Sequence, residues 1–129
     1  MITEDYVSFE TAKLLKEKGF NEKLLTFYIT DEAEKESDFQ TMYFTDDKID
    51  NNQSPHCYLA PTLQIAMKWL REVYNVAIVI TPSMFWGKYN VSIYKRGNDY
   101  PYGFDGDSFI PSYEEACEIA IKYCLENLI

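Results

Sequence analysis

The segment that most constrains the fold is PTLQIAMKWLREVYNVAIVITP, residues 61–82, where a helical apolar pattern runs directly into an apolar strand pattern. On a helical projection of residues 61–75 the apolar side chains span an arc of about 200°, wider than a one-sided surface helix needs. Ile65 and Trp69 lie off the centre of this arc and require a second partner, either another helix or another subunit. The four central residues are predicted to face a sheet: Leu63, Met67, Leu70 and Tyr74.

The run VAIVITP, residues 76–82, is apolar without alternation, which predicts a central strand buried on both faces. Pro61 suits the first position of the helix that precedes this strand. No apolar run is long enough to span a bilayer. The first ten residues, MITEDYVSFE, are acidic and polar, unlike a secretory signal. We therefore expect a cytoplasmic protein that does not bind membranes.

Two further helices are indicated by their capping residues. The helix at residues 8–19 has Ser8 as its N-cap and Gly19 as its stop. The last helix starts with SYEE, a capping box in which the Ser112 hydroxyl accepts from the Glu115 amide and Glu115 returns the bond. The side of this helix predicted to pack carries Ala116, Cys117, Ile119, Ala120, Tyr123 and Cys124.

The remaining strands are predicted from alternation. LLTFYIT, residues 24–30, sets Leu25, Phe27 and Ile29 against Thr26 and Tyr28, which is typical of a half-buried strand. QTMYFT, residues 40–45, completes a hairpin with it, residues 46–55 form a polar loop, and YNVSIYKRG, residues 89–97, is a strand with one wet face. The result is one α+β domain, residues 1–129, with the order α-β-β-α-β-β-α. Three helices pack on an antiparallel sheet of about four strands.

The net charge of -9 is concentrated in one hairpin. Residues 30–55 hold eight acids and two lysines. This acidic patch comprises Asp31, Glu32, Glu34, Glu36, Asp38, Asp46, Asp47 and Asp50. Such a chain repels phosphate backbones and anionic lipids, so we expect no direct nucleic-acid or membrane binding. It can contact basic surfaces, including the nucleic-acid sites of other proteins.

Residues able to do chemistry are few. The only histidine, His56, directly precedes Cys57, and neighbours in an extended segment point to opposite faces. The pair therefore indicates the start of a helix and not a nucleophile with its base. With Cys117 and Cys124 it gives no zinc-ligand spacing, and free, buried thiols are expected. The DGD at 105–107 lacks the spacing of a calcium loop. We expect no cofactor, no metal and no catalytic residue.

A surface for a protein partner, or for a second copy in a homodimer, is predicted from aromatic residues. The aromatic loop at residues 85–109 could instead cover the core, and the sequence leaves both alternatives open. The candidate interface consists of Ile65, Trp69, Phe85, Trp86, Tyr100, Tyr102 and Phe104.

Three segments carry a resemblance to known proteins: YVSFETAKLLKEKGF, CYLAPTLQIAMKWLREVYNVAIVI and SYEEACEIAIKYCLENLI. In them the chain resembles a family of short proteins from phages, prophages and mobile elements of gut Bacteroidetes. The resemblance implies a cytoplasmic accessory protein and carries over no catalytic residue. We expect a non-enzymatic protein that acts through protein–protein interaction. The alternative is an acidic inhibitor that mimics nucleic acid and binds a host DNA- or RNA-processing enzyme.

Overall fold

The computed structural model describes residues 2–30, 42–50, 55–83, 87–97 and 110–129. The predicted α+β class and the order of helices and strands are confirmed, with one additional short strand before the second helix. The five strands form two antiparallel sheets, β2-β1-β3 and β4-β5, instead of one sheet of about four. The elements are α1 (Phe9–Glu17), β1 (Leu24–Ile29), β2 (Met42–Ile49), β3 (Cys57–Leu59), α2 (Leu63–Tyr74), β4 (Val76–Pro82), β5 (Tyr89–Lys95) and α3 (Tyr113–Asn127).

Both ends of α1 are fixed by the predicted residues. The Ser8 hydroxyl accepts a hydrogen bond from the Thr11 amide at 3.3 Å, which satisfies one of the free donors of the first turn. After the helix, Gly19 adopts φ 96°. The Phe20 amide then donates to the Leu15 carbonyl at 2.9 Å and the Gly19 amide to the Lys16 carbonyl at 3.2 Å. These are the two bonds of a Schellman motif, and they turn Phe20 back into the core.

The helix α2 begins two residues later than predicted. Thr62, not a residue before Pro61, is its N-cap, and its hydroxyl accepts from the Ile65 amide at 3.2 Å. Pro61 has no side-chain oxygen that could accept such a bond. Thr62 therefore caps the helix, and Pro61 lies just before it. The helix stops at Asn75, which has a left-handed φ of 57°. For α3, Ser112 accepts from the Glu115 amide at 3.1 Å, as the capping box predicts for that half of the motif.

The strand β1 forms as predicted, but its buried side is the less apolar one. Thr26 is buried and its hydroxyl donates to the Ala60 carbonyl. The Tyr28 hydroxyl donates to the Val7 carbonyl at 2.7 Å. Because both polar tips have partners inside, this side packs on the core, and Leu25 and Ile29 face outward.

The strand β2 extends to Ile49, into the segment predicted as a polar loop, and contains a large β-bulge. Thr26 is paired with Phe44, and Leu24 with Ile49. Residues 45–48 of β2 therefore stand opposite Leu25 alone, which interrupts the ladder of backbone hydrogen bonds. The bulge carries two exposed acids, Asp46 and Asp47.

The second sheet corrects the prediction for residues 76–82. Within the described residues β4 pairs along its whole length with β5 and lies in a two-stranded sheet. One side of β4, with Ile78 and Ile80, packs on the core, but Val79 on the other side is 41% exposed. The strand is thus buried on one face only. A run of β-branched residues indicates a strand but does not fix how many elements cover it.

The core lies where the three helices meet the two sheets, and α3 is its centre. Small side chains let α3 approach α1, α2 and the β4-β5 sheet closely: Ala116, Cys117, Ala120 and Cys124 are all fully buried. The expectation of free, buried thiols is confirmed for Cys57, Cys117 and Cys124. Ile119, predicted on the packed side, is exposed, and Ile121 takes its place inside.

Candidate interaction surface

An apolar surface lies on the outward side of the first sheet. Leu25, Phe27 and Ile29 alternate along β1, so they share one face. Tyr43 of β2 is paired with Phe27 across the strands, and their rings stack with centroids 5.8 Å apart. These four residues form what we call the β1–β2 face.

The β1–β2 face is open although its residues are large and apolar. Ile29 is 46% exposed, Tyr43 47% and Leu25 42%. On the other side of β1, Leu59 of β3 is paired with Phe27 and is buried in the core. This side of the sheet is therefore buried at β3 and exposed over β1 and β2. Contiguous exposed apolar side chains of this kind mark interaction sites more often than single ones do.

Acidic residues border the β1–β2 face. Asp46 and Asp47 are exposed in the bulge opposite Leu25, and Asp50 follows β2 in a half-buried position. They are the described members of the predicted acidic patch. Its other five residues, Asp31, Glu32, Glu34, Glu36 and Asp38, lie outside the described residues.

The structure separates the two described residues of the predicted interface. Ile65 lies exposed on α2, as an interface residue must. Trp69 is only 7% exposed, and its ring meets Phe20 at 5.3 Å and Tyr74 at 5.2 Å, both edge to face. The second partner that Trp69 requires is thus the Schellman turn after α1, and Trp69 offers little exposed surface to another subunit. Phe85, Trp86, Tyr100, Tyr102 and Phe104 lie outside the described residues.

A cleft of about 450 Å³ lies where the N-terminal segment meets β1, α2 and α3. Its walls combine apolar and aromatic surface with four carboxylates. Those carboxylates belong to Asp5, Glu114, Glu115 and Glu118. Glu114 and Glu115 occupy the first turn of α3, where negative charge is stabilised by the helix dipole.

Glu118 in this cleft is engaged with α1. Its Oε1 accepts from the Ser8 amide at 3.0 Å and from the Thr11 hydroxyl at 2.6 Å, and the Ser8 hydroxyl also donates to it. One carboxylate oxygen thus joins the start of α1 to the middle of α3. A second link is the exposed ion pair of Lys122 with Glu10 at 2.8 Å, whose hydrogen bond lowers the pKa of Glu10.

The titration of buried groups follows from desolvation. Burial, with a smaller contribution from the Glu118 charge, raises the pKa of Tyr28. Burial also raises the pKa of the Cys57 thiol, against the attraction of Lys16, and it raises the pKa of Cys124 to about 12. These thiols are therefore protonated and weakly nucleophilic near neutral pH.

Within the part of the chain that the structure describes, no group of three or more His, Cys, Asp or Glu side chains is arranged to hold a metal ion. None of the described helices has the length and apolarity to cross a membrane. The chain matches no protein-family model, no curated protein and no solved structure.

The β1–β2 face was not among the predicted site residues. Alternation correctly groups Leu25, Phe27 and Ile29, but apolarity alone would turn them inward. The deciding contacts, from Thr26 to Ala60 and from Tyr28 to Val7, join residues distant in the sequence. One sequence signal could have suggested that these residues face outward: Thr26 and Tyr28, two positions apart, both carry hydroxyls that can donate to acceptors in the core.

Proposed function

We propose that this protein acts in the cytoplasm by binding another protein, without catalysis, as an accessory protein of a phage or mobile element. The observation that carries the proposal is the β1–β2 face, where Leu25, Ile29 and Tyr43 are nearly half exposed beside Phe27. Covering such a half-exposed side chain contributes roughly 1 kcal/mol. The four together can supply the apolar centre of an interface.

The test is crosslinking from within the face. Tyr43 is replaced by the photoreactive p-benzoylphenylalanine, and in a matched protein Tyr94 is replaced instead. Tyr94 is 41% exposed on β5 and close to Tyr43 in exposure, but it lies on the other sheet. Both proteins are irradiated in a lysate of a gut Bacteroidetes species and the adducts are identified by mass spectrometry.

We expect an adduct with one protein from position 43 and none with it from position 94. The double variant Ile29→Ser with the photoreactive residue at 43 should lose that adduct, because it removes part of the apolar surface. Equal adducts from both positions, or none from position 43, would refute the proposal.

A second candidate function is inhibition of a host enzyme by mimicry of nucleic acid. It is favoured by the exposure of Asp46 and Asp47 on a bulge within a hairpin that holds most of the net charge. Excess duplex DNA should then displace the position-43 partner, and neutralising Asp31, Glu32, Glu34 and Glu36 should abolish its binding. A partner indifferent to DNA would exclude the mimic and leave the interaction function in place.

A further inference from the structure

We propose, resting on the interaction function above, that the β1–β2 face binds a protein segment that is both apolar and positively charged. The apolar part of the segment covers Leu25, Phe27, Ile29 and Tyr43. Its basic side chains lie against Asp46 and Asp47, which are exposed in the bulge between the Leu24–Ile49 and Thr26–Phe44 pairs.

Charge complementarity selects this partner. The hairpin and its flanks, residues 22–50, contain nine acids and three lysines, two-thirds of the net charge of -9 in less than a quarter of the chain. Asp46 and Asp47 lie, with Lys48, in the bulge between the Leu24–Ile49 and Thr26–Phe44 pairs, across the strands from Leu25, an exposed residue of the face. A partner that buries Leu25 therefore brings its rim close to these two carboxylates. A basic rim is attracted there and an acidic rim is repelled.

The same charges disfavour a second copy of this chain. A two-fold dimer through the β1–β2 face would use the same patch on both subunits. It would place the Asp46 and Asp47 pairs of both copies in or near one interface. Like charges in such an interface oppose association most strongly at low salt.

The probes are two synthetic amphipathic helical peptides that share one leucine face. One peptide has lysine on its polar face, and the other has glutamate at the same positions. Each is labelled with a fluorophore, and binding to the full chain is measured by fluorescence anisotropy. The titrations are made at about 0.1 M and about 1 M salt, where the Debye length is about 10 Å and about 3 Å.

Two pairs of matched variants locate the binding. Ile29→Ser with Tyr43→Ser removes apolar surface from the face, and Val79→Ser with Tyr94→Ser makes comparable changes on the β4-β5 sheet at similar exposure. For charge, Asp46→Asn with Asp47→Asn is compared with Glu72→Gln and Glu126→Gln, two exposed acids on α2 and α3. Circular dichroism confirms that each variant is folded before it is titrated.

We expect the lysine peptide to bind about tenfold more tightly than the glutamate peptide at low salt, with most of the difference lost at high salt. The Asp46 and Asp47 changes should weaken the lysine peptide about threefold or more, and the matched changes at 72 and 126 should leave it unchanged. The change at Ile29 and Tyr43 should weaken the lysine peptide at both salt concentrations, and the matched change at Val79 and Tyr94 should not.

Four results would overturn the inference. Equal affinity for both peptides, dependent on Ile29 and Tyr43, would remove the charge preference and leave the proposed function standing. Equal weakening by both acid pairs, or binding that ignores Ile29 and Tyr43, would show general attraction to an acidic chain. A dimer in sedimentation that Ile29→Ser with Tyr43→Ser dissociates would make a second copy the occupant. Failure of the proposed function itself would be seen in the photocrosslinking experiment, as the absence of an adduct from position 43.

Discussion

Replacing Glu118 by alanine tests how the first helix is held to the last. One oxygen of this carboxylate accepts hydrogen bonds from the Ser8 amide, the Ser8 hydroxyl and the Thr11 hydroxyl. Ser8 is also the N-cap of α1. The substitution therefore removes an acceptor that serves the first turn of α1 and also links α1 to α3.

The size of the effect depends on which donors can reach water. Thr11 is fully buried, so its hydroxyl loses its acceptor at a cost of about 1–3 kcal/mol. Ser8 is exposed and can turn to solvent, which limits its loss to about 0.5 kcal/mol. The Ser8 and Thr11 hydroxyl oxygens are 3.2 Å apart and can partly replace the lost bond by bonding to each other. We expect Glu118→Ala to lower the free energy of unfolding by about 2 kcal/mol.

The assay is guanidinium unfolding followed by circular dichroism, with the midpoint expected to fall at an unchanged slope. Glu114→Ala is the matched control, because Glu114 is an exposed acid on the same helix and loses only its interaction with the helix dipole, about 0.3–1 kcal/mol. Thr11→Val completes a double-mutant cycle with a coupling energy of about 1 kcal/mol or more. An additive cycle, or a Glu118→Ala effect no larger than that of Glu114→Ala, would refute this account.

Three further predictions concern the core, a turn and the thiols. Trp69→Ala should lower the free energy of unfolding by about 3–5 kcal/mol in the same assay, because it leaves a cavity against Phe20. The control Ile65→Ala, at an exposed residue of the same helix, should lower it by less than about 1 kcal/mol. Similar losses of stability in the two variants would contradict the buried placement of Trp69. Gly19→Ala should cost about 1–2 kcal/mol from backbone strain at φ 96°, since an added Cβ meets nothing within 4 Å, and an unchanged midpoint would argue against this turn. Burial raises the pKa of Cys124 from 9.0 to about 12, so the stability contributed by the protonated thiol is present below pH 9 and is lost as the pH rises towards 12. Near pH 8, Ellman's reagent should modify Cys124 only after the protein unfolds. Rapid modification of the native protein would contradict the burial of this thiol.

The sequence is sufficient for features whose cause is local. Ser8, Gly19 and Ser112 predict helix boundaries correctly because a cap depends on bonds within a few residues. Pro61 was placed two positions too far inside α2 because Thr62, its neighbour, offers the capping oxygen. Local signals of similar strength compete over one or two residues, so element type is predicted better than its first residue.

Features that depend on contacts between residues far apart in the sequence could not be predicted in this way. The strand β3 has three residues, Cys57–Leu59, too few for a periodic pattern, and forms only by pairing with β1. The arc of α2 correctly required a second partner for Trp69, but nothing local identifies that partner as Phe20. The β1–β2 face depends on which side of β1 finds internal acceptors, and these come from Ala60 and Val7.

The bond between Ser8 and Glu118 spans 110 residues of sequence, and this separation has a consequence for folding during synthesis. At a ribosomal rate of about 5–20 residues per second, Glu118 is added roughly 5–20 s after Ser8. Throughout that interval α1 has neither its carboxylate acceptor nor the complete α3 helix that packs on it. The nascent chain therefore carries α1 without its α3 partner until Glu118 is made. The contacts between these two helices close some of the longest loops among the described residues, a step whose entropy cost makes it late.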